Sequence, residues 1–315
     1  MKKIVSVLLL VSLTLLTVTG TFAAPPAPTP IPWEVPLDDG LPAVIDRFGD
    51  PAAYPDFAFP EDAKLLEIWV ANTRDSDAFF LLYDGQCWMI DCADTRWVNR
   101  VVTLMQKLGI DKVEKVINSH PHHDHLNGLA AVATKAKVSE LAIGFNENST
   151  QHMIKAMQTC REKNIAVSHF EDGTRLQLGD VALDIWMKCD NTYEMNDRSA
   201  VIRLQYGERT ALFTGDIETA GQKKLLETVD PSLLKTDVLK YPHHGKSKLI
   251  ESFYTAVNPS FVVVTNNAVT GEAPYYLGCK HVPMAYAISA YVHLVTDGNH
   301  WLAERVTDPQ PIVKQ

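Results

Sequence analysis

The chain carries the pattern His120-x-His122-x-Asp124-His125, which concentrates metal-binding side chains within six residues. His120 and His122 are two residues apart, so in an extended segment their side chains point to the same face and can bind one ion. Pro121 favours an extended backbone at His120, which supports that arrangement. Asp124 and His125 follow where the chain turns, and we expect them to reach a second ion beside the first. A solvated, histidine-rich loop is the alternative interpretation.

The first 23 residues have the layout of a secretory signal peptide. Lys2 and Lys3 precede an uncharged apolar run that continues to about Val18, and small residues precede a cleavage position after Ala23. The run is short for a membrane span, although an uncleaved anchor is the alternative. We therefore expect a secreted or extracytoplasmic protein with no membrane span after cleavage.

Proline-rich residues 24–60 predict an extended spacer, and the regular pattern that follows predicts one folded domain over residues 61–315. The chain has 29 basic and 38 acidic residues, so its surface opposes tight, sequence-independent binding of nucleic acid. We expect no stable nucleic-acid complex, although brief catalysis on a polyanion is compatible with this charge. Five cysteines leave at least one thiol unpaired within the chain, and the pairing of the others stays open.

Blocks of predicted strands alternate with helices along the domain, which favours two packed sheets with helices outside them. The predicted strands are Leu65–Ala71, Ala78–Leu82, Cys87–Ile90, Lys115–Asn118, Leu141–Ile143, Ile165–Ser168, Arg175–Leu178, Val181–Met187, Ala200–Tyr206, Arg209–Thr214, Val238–Tyr241, Phe261–Thr265, Val292–Val295 and His300–Val306. The predicted helices are Arg96–Leu108, Leu129–Lys135, Thr150–Lys163, Gly221–Thr228, Leu249–Val257 and Ala285–Ala290.

Two further groups of polar residues also follow predicted strands directly. Asp216 ends an apolar strand, and His243 and His244 come just after Val238–Tyr241. Loops at the ends of strands are where a rigid scaffold presents ligands, so the shared placement predicts that these groups join the histidine motif at one metal site. Taken singly, Asp216 could instead cap the next helix, and the histidine pair could lie on the surface.

In this order the motifs resemble the metallo-β-lactamase superfamily, whose hallmark is His-x-His-x-Asp-His, then a metal-bridging Asp and a final His. More narrowly, the chain resembles the soluble hydrolase domain of bacterial competence DNA-uptake proteins (ComEC type). That likeness covers about Leu65 to Val306, and it implies a four-layer αββα sandwich for a metallo-hydrolase domain over residues 61–315. The segments that carry it are Asp75-Ser76-Asp77-Ala78, Met89-Ile90-Asp91-Cys92-Ala93, Asn196-Asp197-Arg198-Ser199, Thr214-Gly215-Asp216, His243-His244-Gly245 and Lys280-His281-Val282-Pro283.

The resemblance implies two divalent metal ions, Zn or Mn, with separate sets of ligands. The first ion would have His120, His122 and Asp216. The second would have Asp124, His125, Asp216 and His244. The residues that would act in catalysis are Asp124 and His243, the latter as a leaving-group acid or as a support for a ligand. The residues that would support ligands or contact substrate are Asp91, Asn196, Ser199 and His281.

Two departures from the family pattern bear on this site. Many members have a third histidine where this chain has Asn196, and an amide oxygen is a poor zinc ligand. Asp197 could substitute, although only one of the two can point to the site. Ala93 stands where the subgroup has a glycine.

The expected reaction is hydrolysis by a metal-bound hydroxide, because two close cations lower the pKa of a shared water. A bridging Asp favours a phosphodiesterase acting on a small-molecule or polymer substrate. Hydrolysis of a lactone, thioester or β-lactam is one alternative, and a non-catalytic binding module with a degraded metal site is another.

Export is directly testable from the leader. We expect protein isolated from its native host to begin at or near Ala24, because the small residues before it fit a signal-peptidase site. Intact mass spectrometry measures this. A cytosolic protein that retains Met1 to Ala23 would contradict the prediction.

Overall fold

The computed structural model describes residues 58–266, 284–287 and 290–310, together with the backbone of Ala43–Ile45. The predicted leader, most of the predicted spacer, Cys279 and His281 lie outside the described residues, so the statements made about them stay predictions. Cys87, Cys92, Cys160 and Cys189 are free, buried thiols.

Eighteen strands are found in the described part of the chain, and sixteen of them form two sheets. The first sheet has the order β1-β18-β17-β2-β3-β4-β6-β8-β9. Its strands are β1 (Ala43–Ile45), β2 (Leu66–Val70), β3 (Phe79–Tyr83), β4 (Gln86–Ile90), β6 (Lys115–Asn118), β8 (Glu140–Ile143), β9 (Ala166–His169), β17 (Tyr291–Thr296) and β18 (Trp301–Val306). Strands β4, β6, β8 and β9 run parallel to one another.

The second sheet has the order β10-β11-β12-β13-β14-β15-β16. Its strands are β10 (Arg175–Leu178), β11 (Val181–Trp186), β12 (Val201–Tyr206), β13 (Arg209–Phe213), β14 (Val238–Lys240), β15 (Phe261–Val264) and β16 (Met284–Tyr286). The last four run parallel. A separate pair is formed by β5 (Lys112–Val113) and β7 (Lys137–Val138).

Seven α-helices lie in the described residues. They are α1 (Val98–Leu108), α2 (His123–Leu126), α3 (Leu129–Lys135), α4 (Gln151–Lys163), α5 (Thr219–Thr228), α6 (Pro231–Leu234) and α7 (Glu251–Val257). No described helix combines the length and the apolar composition that crossing a membrane would need.

Side chains alternate between the two faces of each sheet, and this divides the core into three layers of apolar side chains. Phe79 of β3 and Phe213 of β13 belong to the layer between the two sheets, where their rings make an edge-to-face contact at 5.0 Å. Phe80, the next residue of β3, points to the other face and packs with Leu104 of α1. On the far side, Leu212 of β13 packs with α5, α6 and α7. Burying apolar surface on both faces of both sheets produces the αββα sandwich, so the predicted fold is confirmed.

The prediction of a helix over Ala285–Ala290 is wrong at its start. Met284–Tyr286 is strand β16, which pairs parallel with β15 through Val263 and Ala285. Ala285 and Tyr286 fall on opposite core layers, the first between the sheets and the second against the outer helices. Ala285 therefore lies in a strand despite its helical propensity, because tertiary pairing outweighs local preference.

Parallel strands bring the sequence motifs together, because the carboxyl ends of parallel strands share one edge of a sheet. Asp91 follows β4 and His120 follows β6 in the first sheet, whereas Asp216 follows β13 and His243 follows β14 in the second. The two edges lie on the same side of the sandwich, so side chains from both sheets can converge in the crevice between them.

Candidate metal centre

The histidine motif leaves strand β6 and turns at once into the short helix α2, which begins at His123. Backbone bonds fix this turn against two neighbouring loops. The amide of Cys92 donates to the carbonyl of His125 (2.7 Å), and the amide of Asp77 donates to the carbonyl of Asp124 (3.1 Å). These backbone contacts anchor Asp124 and His125 to the two neighbouring loops.

Asp216 is the centre of the site. Its Oδ2 atom lies 3.1 Å from Nε2 of His125 and 3.2 Å from Nε2 of His244. The Nε2 atoms of His243 and His120 lie 3.8 and 3.9 Å from the same oxygen. One carboxylate oxygen therefore faces four imidazoles from two segments of the chain, the motif after β6 and the histidine pair after β14.

The remaining predicted ligands extend this arrangement on two sides. Nδ1 of His122 lies 3.0 Å from Nε2 of His120. Oδ2 of Asp124 lies 3.4 Å from Nε2 of His244. The structure thus brings together all six residues expected to bind metal, with one subset beside His120 and another beside His244.

Two buried aspartates hold the imidazole rings from behind. Oδ2 of Asp91 lies 2.7 Å from Nδ1 of His125 and accepts a hydrogen bond from the Ser119 hydroxyl at 2.6 Å. Oδ1 of Asp77 lies 3.1 Å from Nδ1 of His244. Because each Nδ1 is engaged by a carboxylate, Nε2 of each ring is the nitrogen that faces Asp216.

Asp77 belongs to a buried group with His125, Asp216 and His244 whose potential ligand atoms lie within 4.8 Å of one another. Both of its oxygens are already engaged, however. Oδ1 accepts from Thr265 at 2.5 Å and faces His244, whereas Oδ2 pairs with the Lys240 ammonium at 2.6 Å. Asp77 is therefore placed to orient His244, and the other three members of the group remain candidate metal ligands.

Among the described residues, Asn196 makes no hydrogen bond to a candidate metal ligand. Its amide donates to Oε1 of Glu218 (3.0 Å), and the same oxygen lies 3.2 Å from Nδ1 of His243. Asn196 thus connects to His243 through Glu218, and its own buried Oδ1 has no hydrogen-bond partner. The neighbouring Asp197 points to helix α5, where Oδ1 accepts from the amides of Glu218 and Gly221.

Asp216 does not cap the helix that follows it, because Asp197 occupies that role at the start of α5. The backbone amide of Asp216 instead donates to the Ser199 hydroxyl at 3.1 Å. Gly215, with φ of 52°, leaves no room for a side chain, since a Cβ there would lie 2.7 Å from Cβ of Ser199. Ser199 and Gly215 therefore set the loop that delivers Asp216 to the site.

Backbone strain marks the histidine pair. His243 and His244 have φ of 48° and 53°, and such left-handed conformations cost a non-glycine residue about 1–2 kcal/mol. Pro242 directs the chain into this turn after an extended Tyr241, whose φ is −62° and ψ 133°. Two consecutive strained residues persist only where the surroundings hold them, and here the strain directs both rings to Asp216.

The site residues fit a metal ion. The Nε2 atoms of His125 and His244 are buried and make no hydrogen bond, although both lie close to Asp216. Buried polar atoms are normally satisfied, so two unpartnered imidazole nitrogens aimed at one carboxylate require explanation. Imidazole nitrogen with carboxylate oxygen is a donor set that Zn²⁺ and other transition metals accept.

Comparison with known proteins then places the chain in a family. The sequence profile described as the metallo-beta-lactamase superfamily matches residues 72–253, which include every ligand identified above. The chain belongs to the metallo-β-lactamase superfamily. Its fold and its candidate metal-binding group make it a metal-dependent hydrolase of that superfamily, whose members bind divalent metals.

The narrower resemblance to competence proteins is also confirmed. The chain is 26% identical to ComE operon protein 3 of Bacillus subtilis (strain 168) over 167 residues, which cover 52% of this chain and 21% of that protein. It is 23% identical to competence protein ComA of Neisseria gonorrhoeae over 243 residues, which cover 75% of this chain and 30% of that protein. The chain thus spans less than a third of the length of either relative.

Two solved structures are also similar. The metallo-β-lactamase fold protein YhfI of Bacillus subtilis aligns with 70% of this chain and 95% of its own, at 9% identity and a TM-score of 0.48. CmlA, a diiron β-hydroxylase of Streptomyces venezuelae, aligns with 66% of this chain and 45% of its own, at 14% identity and a TM-score of 0.41.

Burial and neighbouring charges shift the pKa values of carboxylate and imidazole side chains in the site. Burial alone would raise the pKa of Asp216, but the charges of His125 and its neighbours outweigh this and hold it well below its usual range. Burial would lower the pKa of His244, yet Asp216 and Asp77 raise it to about 10. Burial and the adjacent His125 lower the pKa of His120 well below its ordinary value. Metal binding at His244 would therefore compete with a proton, whereas at His120 it would not.

The sequence motifs assign no role to Asp77 or Lys240. Asp77 lies within a segment matched to the subgroup, and Lys240 ends the otherwise apolar strand β14. A lysine at an inward position of a buried strand is a signal that could have been used, because lysine is rarely fully buried unless it is paired.

Gly128, three residues after the last histidine of the motif, fits only because it lacks a side chain. Its amide donates to the carbonyl of Ala93 (2.9 Å), and a Cβ at this position would lie 1.8 Å from the carbonyl oxygen of Cys92. That carbonyl belongs to the loop whose amide holds His125. Ala93 itself has φ of 64°, a left-handed conformation that favours glycine.

We predict that Gly128→Ala lowers the free energy of unfolding by about 3 kcal/mol and weakens metal retention, because the clash displaces the loop that fixes His125. Gly85→Ala is the control. Gly85 has φ of 73°, but a Cβ there would meet no atom within 4 Å, so only a backbone penalty of about 1–2 kcal/mol should act. Urea denaturation and chelator-release rates measure the two effects. Equal losses in the two variants, with metal retention unchanged in both, would contradict this role of Gly128.

Proposed function

We propose that the protein is an exported phosphodiesterase that uses two divalent metal ions, Zn or Mn. The observation that carries the proposal is the convergence of four imidazole nitrogens on one oxygen of Asp216. Candidate ligands lie on two sides of Asp216 Oδ2, beside His120 and beside His244, which is more than one ion would need. His120 and His122 with Asp216 would hold the first ion. Asp124, His125 and His244 with Asp216 would hold the second.

When bound, two such ions would lower the pKa of a nearby water and stabilise negative charge on an attacked phosphoryl group. The chain's own contribution is to arrange ligands and move protons. Asp91 and Asp77 fix which nitrogen of His125 and His244 faces inward, and so no ring has to reorient during turnover.

We assign proton transfer to Nε2 of His243. Nδ1 of this ring is engaged by the Ser247 hydroxyl (2.9 Å) and by Glu218 (3.2 Å), which leaves Nε2 for the reacting groups. The His243 side chain is 23% exposed, whereas His120, His125 and His244 are fully buried, so it can reach both substrate and solvent. Asp124, which keeps 13% of its side-chain surface exposed, would sit at the open side of the second ion.

The substrate class follows from the bridging residue and from location. A carboxylate at Asp216, where many β-lactamases carry a cysteine, favours phosphodiester chemistry over acyl chemistry. Export would direct the enzyme to extracellular nucleic acids or to wall and lipid phosphodiesters, and its two relatives are named for competence. The excess of acidic residues argues against a stable complex with a polyanion and is compatible with brief catalysis on one.

A substrate panel tests this proposal. Wild type, Asp216→Ala and His243→Ala are compared on bis(p-nitrophenyl) phosphate, a β-lactam and a thioester, with Mn²⁺ or Zn²⁺ supplied. We expect wild type to prefer the phosphodiester and Asp216→Ala to lose turnover and release metal. His243→Ala should keep its metal and lose about 10²–10⁴-fold in rate if His243 transfers a proton, or only about 10–100-fold if it supports a ligand.

Asp184→Ala is the matched control, because it removes a carboxylate that pairs with Arg175 and Arg203 on the second sheet and not with the site. It should behave as wild type. Faster acyl than phosphodiester hydrolysis would overturn the substrate class and leave the site intact. Full activity in Asp216→Ala would overturn the site, and absence of both metal and activity in wild type would favour the binding-module alternative.

A further inference from the structure

Lys240 is a fully buried lysine that the proposed chemistry does not yet use. It lies on β14, and its side chain is only 1% exposed. The preceding residue, Leu239, packs against the outer helices. Successive side chains of a strand point to opposite faces, so the Lys240 side chain enters the space between the two sheets. A charge removed from water in this way is costly unless it is paired and hydrogen-bonded.

The three donors of the Lys240 ammonium each have an acceptor at the metal site. Nζ lies 2.5 Å from the carbonyl oxygen of Gly215, 2.6 Å from Oδ2 of Asp77 and 3.3 Å from Oδ1 of Asp216. An ammonium group has three N–H bonds and no acceptor, so these contacts satisfy it completely. Lys240 thus connects the strand before the histidine pair with the loop that carries Asp216.

These contacts divide the two oxygens of Asp216 between different partners. Oδ1 faces Lys240, whereas Oδ2 faces the imidazoles at 3.1 to 3.9 Å. A carboxylate can bridge two ions through both oxygens or through one. With Oδ1 turned to the ammonium, Oδ2 is the oxygen that faces the candidate metal ligands.

The two oxygens of Asp77 also have different partners. Its Oδ2 pairs with Lys240, and its Oδ1 faces Nδ1 of His244. Loss of the ammonium would leave this carboxylate held through Oδ1 alone, by Thr265 and His244, and the orientation of the His244 ring would be less tightly constrained. The same cation therefore acts on a metal ligand directly and on a second ligand through its orienting carboxylate.

We infer that Lys240 is a positioning residue, which directs a single oxygen of Asp216 to both metal ions and fixes the His244 ring through Asp77. The inference rests on the two-metal site of the proposed function but not on the identity of the substrate. Its readouts are accordingly metal retention and a ligand-field spectrum, neither of which requires turnover.

The test compares Lys240→Met, Lys240→Arg and the control Lys115→Met, each loaded with Co²⁺ as a spectroscopic substitute. Lys115 is another strand lysine that pairs with a carboxylate, that of Glu140. It is partly buried and lies away from the site. Metal content after dialysis, the rate of release to a chelator and the visible absorption of Co²⁺ are measured. Near-ultraviolet circular dichroism reports whether each variant keeps its packed core.

We expect Lys240→Met to release metal at least about 10-fold faster than wild type and to show a changed Co²⁺ spectrum, as loss of an orienting partner does in other metal sites. Lys240→Arg keeps the charge but not the geometry of three separate donors, so it should retain more metal than Lys240→Met and still show a changed spectrum. Lys115→Met should match wild type in all three measurements.

Wild-type retention and spectrum in Lys240→Met would overturn the inference. If Lys240→Met does not fold, Lys240→Arg decides alone, because an unchanged spectrum and release rate in that variant would show that the three contacts do not position the ligands. Failure of the proposed metal site is distinguishable from either result, since wild type itself would then bind no metal, and a different substrate class would leave all of these readouts unchanged.

Discussion

Four buried aspartates, Asp77, Asp91, Asp124 and Asp216, lie around the histidine cluster, and their burial depends on the cations beside them. Removing one partner of a buried ion pair typically costs about 3–5 kcal/mol, because the other charge stays in a medium that solvates it poorly. The crevice between the sheets can therefore close only around paired charges. The Lys240 ammonium supplies one of these charges, and protons on the imidazoles, or the metals that displace them, supply the others.

The sandwich makes this clustering possible. Parallel strands in each sheet deliver loops to one edge, and each loop contributes a different part of the site. The loop after β13 brings the central carboxylate, and the loop after β14 brings a strained histidine pair. The loop after β4 carries Asp91, with φ of 57°, which both turns the chain and orients His125. Strain and close packing, as at Gly128 and Gly215, are concentrated where the ligands must be held within a few tenths of an ångström.

The layered fold and the residues that come together are predictable from the sequence, because the motifs are local and their spacing carries the chemistry. The pattern around His120 is read directly from six residues. The pairing of Asp77 with Lys240 could not be read in this way, since it joins segments that pack on different sheets, and Asp77 reaches Thr265 across 188 positions of the chain. Strand β16 is not predictable locally because its alanine favours helix, whereas its pairing with β15 is decided by the sheet. Asn196 was expected near a ligand position, but its contact with Glu218 depends on a turn that no local pattern describes.

The central claim is that one oxygen of Asp216 serves two metal ions. Anomalous diffraction from crystals loaded with Mn²⁺ or Zn²⁺ tests it most directly. We expect two anomalous peaks, one beside His120 and His122 and the other beside Asp124, His125 and His244, with Asp216 Oδ2 between them and Oδ1 still on Lys240. A single peak, or two ions held by separate oxygens of Asp216, would contradict it.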